Sequence, residues 1–136
     1  MVQHKIIKRL ETIVVFLMLL VATTAQAKRV VERPYFLGSN NHKLEIERVT
    51  LDKKATFLDV KIYQASGEVG IDSHASIMAN GVKYDYIGSK QLPKGVFVKV
   101  PECGYVAATL RFKPMPETTT EFDFREIADN SGWNIY

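Results

Sequence analysis

Cysteine is almost absent: the 136-residue chain has one, Cys103. One thiol cannot close a disulfide within the chain, so the fold has to rest on apolar burial. No C-x-x-C is present, which excludes an internal dithiol couple. Histidine is scarce too, at three residues, His4, His42 and His74. That leaves little room for a Ser-His-Asp arrangement, and no G-x-S-x-G elbow occurs. There is no glycine-rich phosphate loop. N-x-Ser/Thr is missing, so there is no N-glycan acceptor. No apolar run approaches the roughly 20 residues of a spanning helix. After residue 27 no apolar stripe of period 3.6 has useful length, which argues against helices. Repeats, low-complexity tracts and Ser- or Gly-rich linkers are absent as well.

The start of the chain has a pattern of its own. Lys5, Lys8 and Arg9 precede an unbroken apolar run, Ile13–Val21, and then small residues that end in Ala25-Gln26-Ala27. A basic head, a short apolar centre and a small-x-small site read as a cleavable signal peptide over residues 1–27. Cleavage is expected between Ala27 and Lys28, and the mature chain is expected in the periplasm or outside the cell. No cysteine follows the cleavage site, so lipidation there is not indicated. The leader distorts the charge balance. The chain holds 18 Lys+Arg and 15 Asp+Glu. Three of the basic residues and one acidic residue, Glu11, lie before residue 28, which leaves 15 basic and 14 acidic side chains. They are interleaved, and the basic pairs are Lys28-Arg29 and Lys53-Lys54. Binding to nucleic acid needs clustered cations, so a solvated mixed-charge surface is the reading.

The remaining chain is long enough for one domain. Lys28 to His42 reads as an extended arm, with Pro34 stiffening it and Tyr35-Phe36 available to pin it to the domain. In Leu44–Val49, Leu44, Ile46 and Arg48 fall on one face and Glu45, Glu47 and Val49 on the other. Asp52-Lys53-Lys54 reads as a turn. Thr56–Tyr63 alternates Leu58, Val60 and Ile62 with Asp59 and Lys61, the period of a half-buried strand. Gly67 and Gly70 mark a bend. Asn80-Gly81 lies between two short strands. Both residues tolerate the positive φ of a type I′ turn, so Ser76–Ile87 is predicted to be a hairpin. Val96–Val100 and Tyr105–Phe112 read as further strands. Lys113-Pro114-Met115-Pro116 ends the second, because proline cannot donate to a ladder. Glu121–Ile127 alternates Phe122 and Phe124 with charged residues, and Trp133–Tyr136 begins one more strand, with Trp133 expected in the core. Seven to eight short antiparallel strands with turns between them predict an all-β, immunoglobulin-like β-sandwich over 44–136, preceded by the arm at 28–43.

Several pieces together resemble a known module. They are Glu32-Arg33-Pro34, Leu44–Tyr63, Ala79-Asn80-Gly81 with Tyr84, Pro101–Gly104, Leu110–Pro116, Phe122–Glu126 and Gly132–Tyr136. Their order is similar to that in the N-terminal β-sandwich-like domain of exported Bacteroidetes proteins. In many of those proteins the module precedes a thioredoxin-like thiol–disulfide reductase or peroxiredoxin-type domain. The resemblance covers nearly all of 32–136 and implies a non-catalytic companion of redox domains. Such modules continue past the Trp-x-Ile-Tyr stretch, so a last strand cut short, or a relic of a longer protein, is a further expectation. With no C-x-x-C, the redox activity does not carry over to these residues.

The residues that could carry chemistry each have a plainer reading. Cys103 lies in a turn, and Glu102 opposes the pKa depression a reactive thiol needs. Asp72 and His74 could share a strand face toward a metal, but His42 is the one other histidine after the leader and a zinc site wants about four ligands. Glu45/Glu47 and Asp123/Glu126 are paired carboxylates with no sign of convergence on a cleft. Tyr84, Tyr86, Phe97, Tyr105, Phe112, Phe122, Phe124 and Trp133 could form a glycan platform, with core packing the preferred reading. No catalytic residue, metal or cofactor is therefore expected. The expected function is that of an exported accessory or interaction domain. A stand-alone module that binds glycan or peptide is the alternative, and an enzyme part acting through Cys103 ranks behind both. The expected partner is a protein that docks at the C-terminal strand edge, with self-association or marginal stability as its sign. Nucleic acid and, after leader removal, membrane are not expected partners.

Overall fold

The computed structural model describes residues 28–39, 43–126 and 134–135. The predicted signal peptide, His42, Trp133 and Tyr136 lie outside the described residues. Among the described residues there are ten strands and no helix. They are β1 (Lys28–Glu32), β2 (Leu44–Asp52), β3 (Thr56–Tyr63), β4 (Glu68–Val69), β5 (Ser76–Ala79), β6 (Val82–Gly88), β7 (Val98–Lys99), β8 (Tyr105–Phe112), β9 (Asp123–Arg125) and β10 (Asn134–Ile135). Eight form one antiparallel sheet in the order β1-β2-β3-β8-β6-β5-β9-β10, while β4 and β7 pair separately.

The long sheet folds over on itself. Strand β6 is the corner: Val82–Asp85 pair with β5, whereas Tyr86 and Gly88 pair with β8 across an irregularity. In a flat sheet β8 and β9 would stand roughly 14 Å apart, three strand spacings. Yet the Phe112 and Phe124 rings meet edge to face with centroids 6.2 Å apart. Tyr86 packs on the other side of Phe112 at 5.2 Å. The two layers thus close on an aromatic trio that is fully buried. Folding brings the far edge round as well. The Arg29 guanidinium on β1 donates to the carbonyls of Thr119 (2.9 Å) and Glu117 (3.1 Å), just before β9. The result is the expected all-β sandwich of antiparallel strands.

Strand β3 shows the predicted alternation residue for residue, with Leu58, Val60 and Ile62 buried. It is paired along its whole length with β8, whose Val106, Ala108, Leu110 and Phe112 supply the same core. The hairpin at Asn80-Gly81 is present, with φ of 51° and 77° and Ala79 opposite Val82. Thr56 fills a buried polar role. Its Oγ1 accepts the Met115 N–H at 2.9 Å, which satisfies a backbone donor just after the proline that ends β8.

Four expectations need correction. On β2 the faces do not alternate through Val49. The register to β3 slips between Ile46 and Arg48, so a bulge inserts one residue and Val49 and Leu51 rejoin the buried face of Leu44. A bulge does this because two residues on one strand then oppose one on its partner. Second, the extended arm expected ahead of the 44–136 sandwich belongs to the sheet at its start, since Lys28–Glu32 is a full strand in register with Asp52–Arg48. Third, Tyr35 and Phe36 pin nothing, being 89% and 55% exposed. Fourth, Val96–Val100 is a strand only at Val98–Lys99, and Phe97 is 68% exposed rather than core. The segment runs close over Gly70, where a Cβ would meet the Val96 carbonyl oxygen at 2.9 Å and the Phe97 ring at 3.2 Å.

Candidate functional site

Residues that could carry chemistry are dispersed over the described structure. Cys103 is exposed in the turn Pro101–Gly104, closed by a hydrogen bond from the Gly104 N–H to the Pro101 carbonyl at 3.0 Å. Its thiol faces the Tyr105 carbonyl at 3.5 Å. Asp72 and His74 come together, but inside one loop turn. Asp72 Oδ1 accepts the His74 N–H at 2.7 Å and lies 3.1 Å from His74 Nδ1. No group of three or more metal-ligating side chains forms among the described residues. Of the paired carboxylates, Glu45 accepts from the Tyr63 hydroxyl at 3.0 Å and Glu47 binds Lys61 at 3.0 Å. These bonds raise the Tyr63 and Lys61 pKa values, mainly by favouring the proton beside a carboxylate. Asp123 faces Arg125 at 3.4 Å, and Glu126 accepts the Asp72 N–H at 3.3 Å. Each carboxylate is thus engaged locally, although Glu45 and Asp123, one from each pair, line the same larger concavity.

The aromatic residues divide. Tyr86, Phe112 and Phe124 are core, while Tyr84 and Phe122 are half-buried against it. The Lys61 ammonium lies 5.1 Å from the Tyr105 ring centroid, and Tyr63 stands beside Tyr105. The glycan-platform reading therefore fails for the buried trio, whose faces no ligand can reach.

Two concavities bring several of these residues together. The smaller, about 430 Å³, lies on the outer face of the β1-β2-β3-β8 layer. Its floor is a polar chain: Glu32 binds Arg48 at 2.7 Å, Arg48 lies 3.8 Å from Asp59, and Asp59 accepts from the Thr109 hydroxyl. These side chains satisfy one another, as a solvated strand face does.

The larger concavity is a cleft of about 1030 Å³ where the folded sheet stays open. Strands β1 and β2 form one wall with Val31, Ile46 and Leu51, and Met78, Phe122 and Ile135 belong to the opposite wall. At its mouth Tyr35, Phe36 and Leu37 turn apolar side chains to solvent, Leu37 with 82% exposure. Proline at 34 and Arg33 in the left-handed region, φ 48°, take the chain out of β1 and present this tripeptide. The cleft is not purely apolar. Thr119 lines it, buried at 7% exposure, with its hydroxyl lacking a hydrogen-bond partner. Arg125 lines it too, and its Nε–H is buried and unpaired. Buried polar atoms are normally satisfied, so these two atoms are exceptions; both are closed off from solvent behind the cleft wall, which also carries Glu45, Glu121 and Asp123. Sequence reasoning missed this site. Its walls come from strands at opposite ends of the sheet order, and the one local signal was the apolar Tyr35-Phe36-Leu37 run beside Pro34. The chain matches no protein-family model, no curated protein and no solved structure.

Proposed function

We propose that this chain is an exported, non-catalytic interaction domain that takes an extended apolar segment of a partner protein into the cleft between its two layers. The observation that carries the reading is the cleft itself: about 1030 Å³, apolar walls and an exposed Tyr35-Phe36-Leu37 rim. An extended peptide fits this chemistry. Its apolar side chains match Val31, Ile46, Leu51, Met78, Phe122 and Ile135, and its polar backbone suits the charged residues that share the lining. The C-terminal strand edge belongs to the same place, because Ile135 lines the cleft. The scatter of Cys103, His74 and the carboxylates supports a non-catalytic role. The leader-like N-terminus and the resemblance to modules that accompany thioredoxin-like domains support a periplasmic setting with a redox protein as the associated partner. The stand-alone ligand-binding reading uses the same cleft, and a glycan in place of the peptide is an outcome the binding test distinguishes.

The test is fluorescence anisotropy of the exported protein against labelled extended peptides rich in Leu, Val and Phe. Leu37→Asp and Phe36→Asp are each expected to weaken binding by roughly tenfold, the scale of losing one buried apolar group. Val82→Asp, exposed on the hairpin and outside the cleft lining, serves as the control. Equal weakening by Val82→Asp, or none by the cleft variants, refutes the reading. An insulin-reduction assay checks the non-catalytic half, and turnover abolished by Cys103→Ser would overturn it.

A further inference from the structure

Strand β1 is one end of the eight-stranded order, and its outer side meets no strand among the described residues. At the opposite end of the order, β10 is described over Asn134–Ile135, and Ser39 bridges Ile135 on its flank. Strand β1 runs five residues in unbroken register with β2, without bulge or proline, and the one protection of its edge is charge, on Lys28, Arg29 and Glu32. The direction of its hydrogen bonds follows from one bond at its end. The Arg33 N–H donates to the Glu47 carbonyl at 2.7 Å. In an antiparallel pair such sites alternate, so Val31 and Arg29 also bond toward β2. The N–H and C=O groups of Lys28, Val30 and Glu32 then point away from the sheet.

Those three residues read the same from either side of a dyad. When a second β1 runs antiparallel with Val30 opposite Val30, each Lys28 stands opposite the Glu32 of the other copy. The outward backbone groups of Lys28, Val30 and Glu32 pair across the dyad, and both side-chain pairs are of opposite charge. Val30, 45% exposed, meets its own copy between them. Arg29, tied to the carbonyls of Thr119 and Glu117, holds the strand in place for this pairing.

We propose that the protein forms a two-fold dimer by antiparallel pairing of β1 with β1, centred on Val30, which continues the sheet across both copies. The occupant of this edge is a second copy of the chain because the strand is its own charge complement; a partner strand of other sequence lacks the double Lys28–Glu32 match. A closed isologous interface of this kind leaves no further open β1 edge. The pairing does not depend on what fills the cleft.

Sedimentation velocity of the leader-free exported protein tests it. A concentration-dependent dimer is expected. Val30→Pro removes an outward N–H and no bond to β2, so the variant is expected to be a folded monomer by circular dichroism. Glu32→Lys alone and Lys28→Glu alone each place like charges opposite one another, and each is expected to weaken dimerisation by about tenfold, at the upper end of two cross-strand pairs. Mixing these two variants restores complementarity at both positions, and a heterodimer is expected. A wild-type protein that stays monomeric at high micromolar concentration overturns the proposal. So does a dimer that survives Val30→Pro, or single-charge variants that associate no better when mixed. Should Val30→Pro fail to fold, the mixing experiment decides alone.

Discussion

The two layers of this sandwich are built to different standards. In the β2-β3-β8 layer, strands of eight or nine residues pair along nearly their whole length. Its core face is apolar and its outer face is a chain of mutually bonded polar groups. In the layer of β5, β9 and β10 the strands have two to four residues, and the adjoining wall keeps unpaired donors on Thr119 and Arg125. The first layer holds the fold together, and the second leaves a cleft beside it. Burial of long alternating strands stabilises strongly, whereas short strands around an opening bury less and leave polar atoms unpaired. Regions that bind are drawn from the less stable parts of a structure for this reason.

The comparison can be broken or sharpened by substitution. The largest effect is expected where the layers meet. Phe112→Ala removes the centre of the Tyr86–Phe112–Phe124 trio and should cost about 3–5 kcal/mol in urea unfolding. If it cost no more than a surface change, the layers would not be closed by that trio. Ile135→Ala, on the cleft side, is a subtler probe. Ile135 is buried opposite Phe124, so about 2–4 kcal/mol is expected if β10 is an integral strand and almost nothing if it is a tail. Thr56→Val strands the Met115 N–H in the core and should cost about 1–3 kcal/mol, the penalty of an unmade buried hydrogen bond. Thr119→Val, whose hydroxyl has no partner to lose, should leave stability unchanged or raised. Opposite signs for these two threonines would separate a buried hydroxyl that serves the fold from one that does not.

Alkaline pH gives a smaller effect that is specific to the corner strand. Burial pushes the Tyr86 hydroxyl up to about 12, from an ordinary 10.0, while it donates to the Leu92 carbonyl at 3.0 Å. The unfolded chain loses this proton first. The stabilisation is therefore whole below pH 10 and is lost as pH rises through about 12. Urea midpoints should fall across that window, and less steeply in Tyr86→Phe. Equal slopes would mean that the corner opens before the tyrosine titrates. The smallest change expected is at the arm: Arg33→Gly relieves the left-handed conformation at φ 48° and should raise stability by about 1 kcal/mol or less.

Much of the first layer is legible in the sequence. Strand β3 can be read there because its period-2 pattern is uninterrupted, and Asn80-Gly81 because few residue pairs accept positive φ twice. Strand β2 cannot be read past Ile46, since an alternating pattern with one residue too many does not say whether the chain bulges or changes face. Phe97 and Phe124 look alike in sequence, each an aromatic in a short alternating run. The tertiary structure leaves one exposed beside Gly70, and only the folded sheet carries the other onto Phe112. The cleft is not legible at all, because no local pattern records which strands from opposite ends of a sheet will face each other.

The amino-acid sequence by itself determined that this protein is built of strands, where most of them run and which turn joins β5 to β6. Those are properties of neighbouring residues: side-chain period, proline and the φ that Asn and Gly allow. Tertiary structure alone decided that the sheet folds at β6, that the bulge returns Val49 and Leu51 to the core, and that Thr119 and Arg125 end beside Val31 and Ile135 in one cleft. The reason is that sheet order, register slips and layer closure are set by contacts between residues far apart in the chain, chosen together by how much apolar surface they bury.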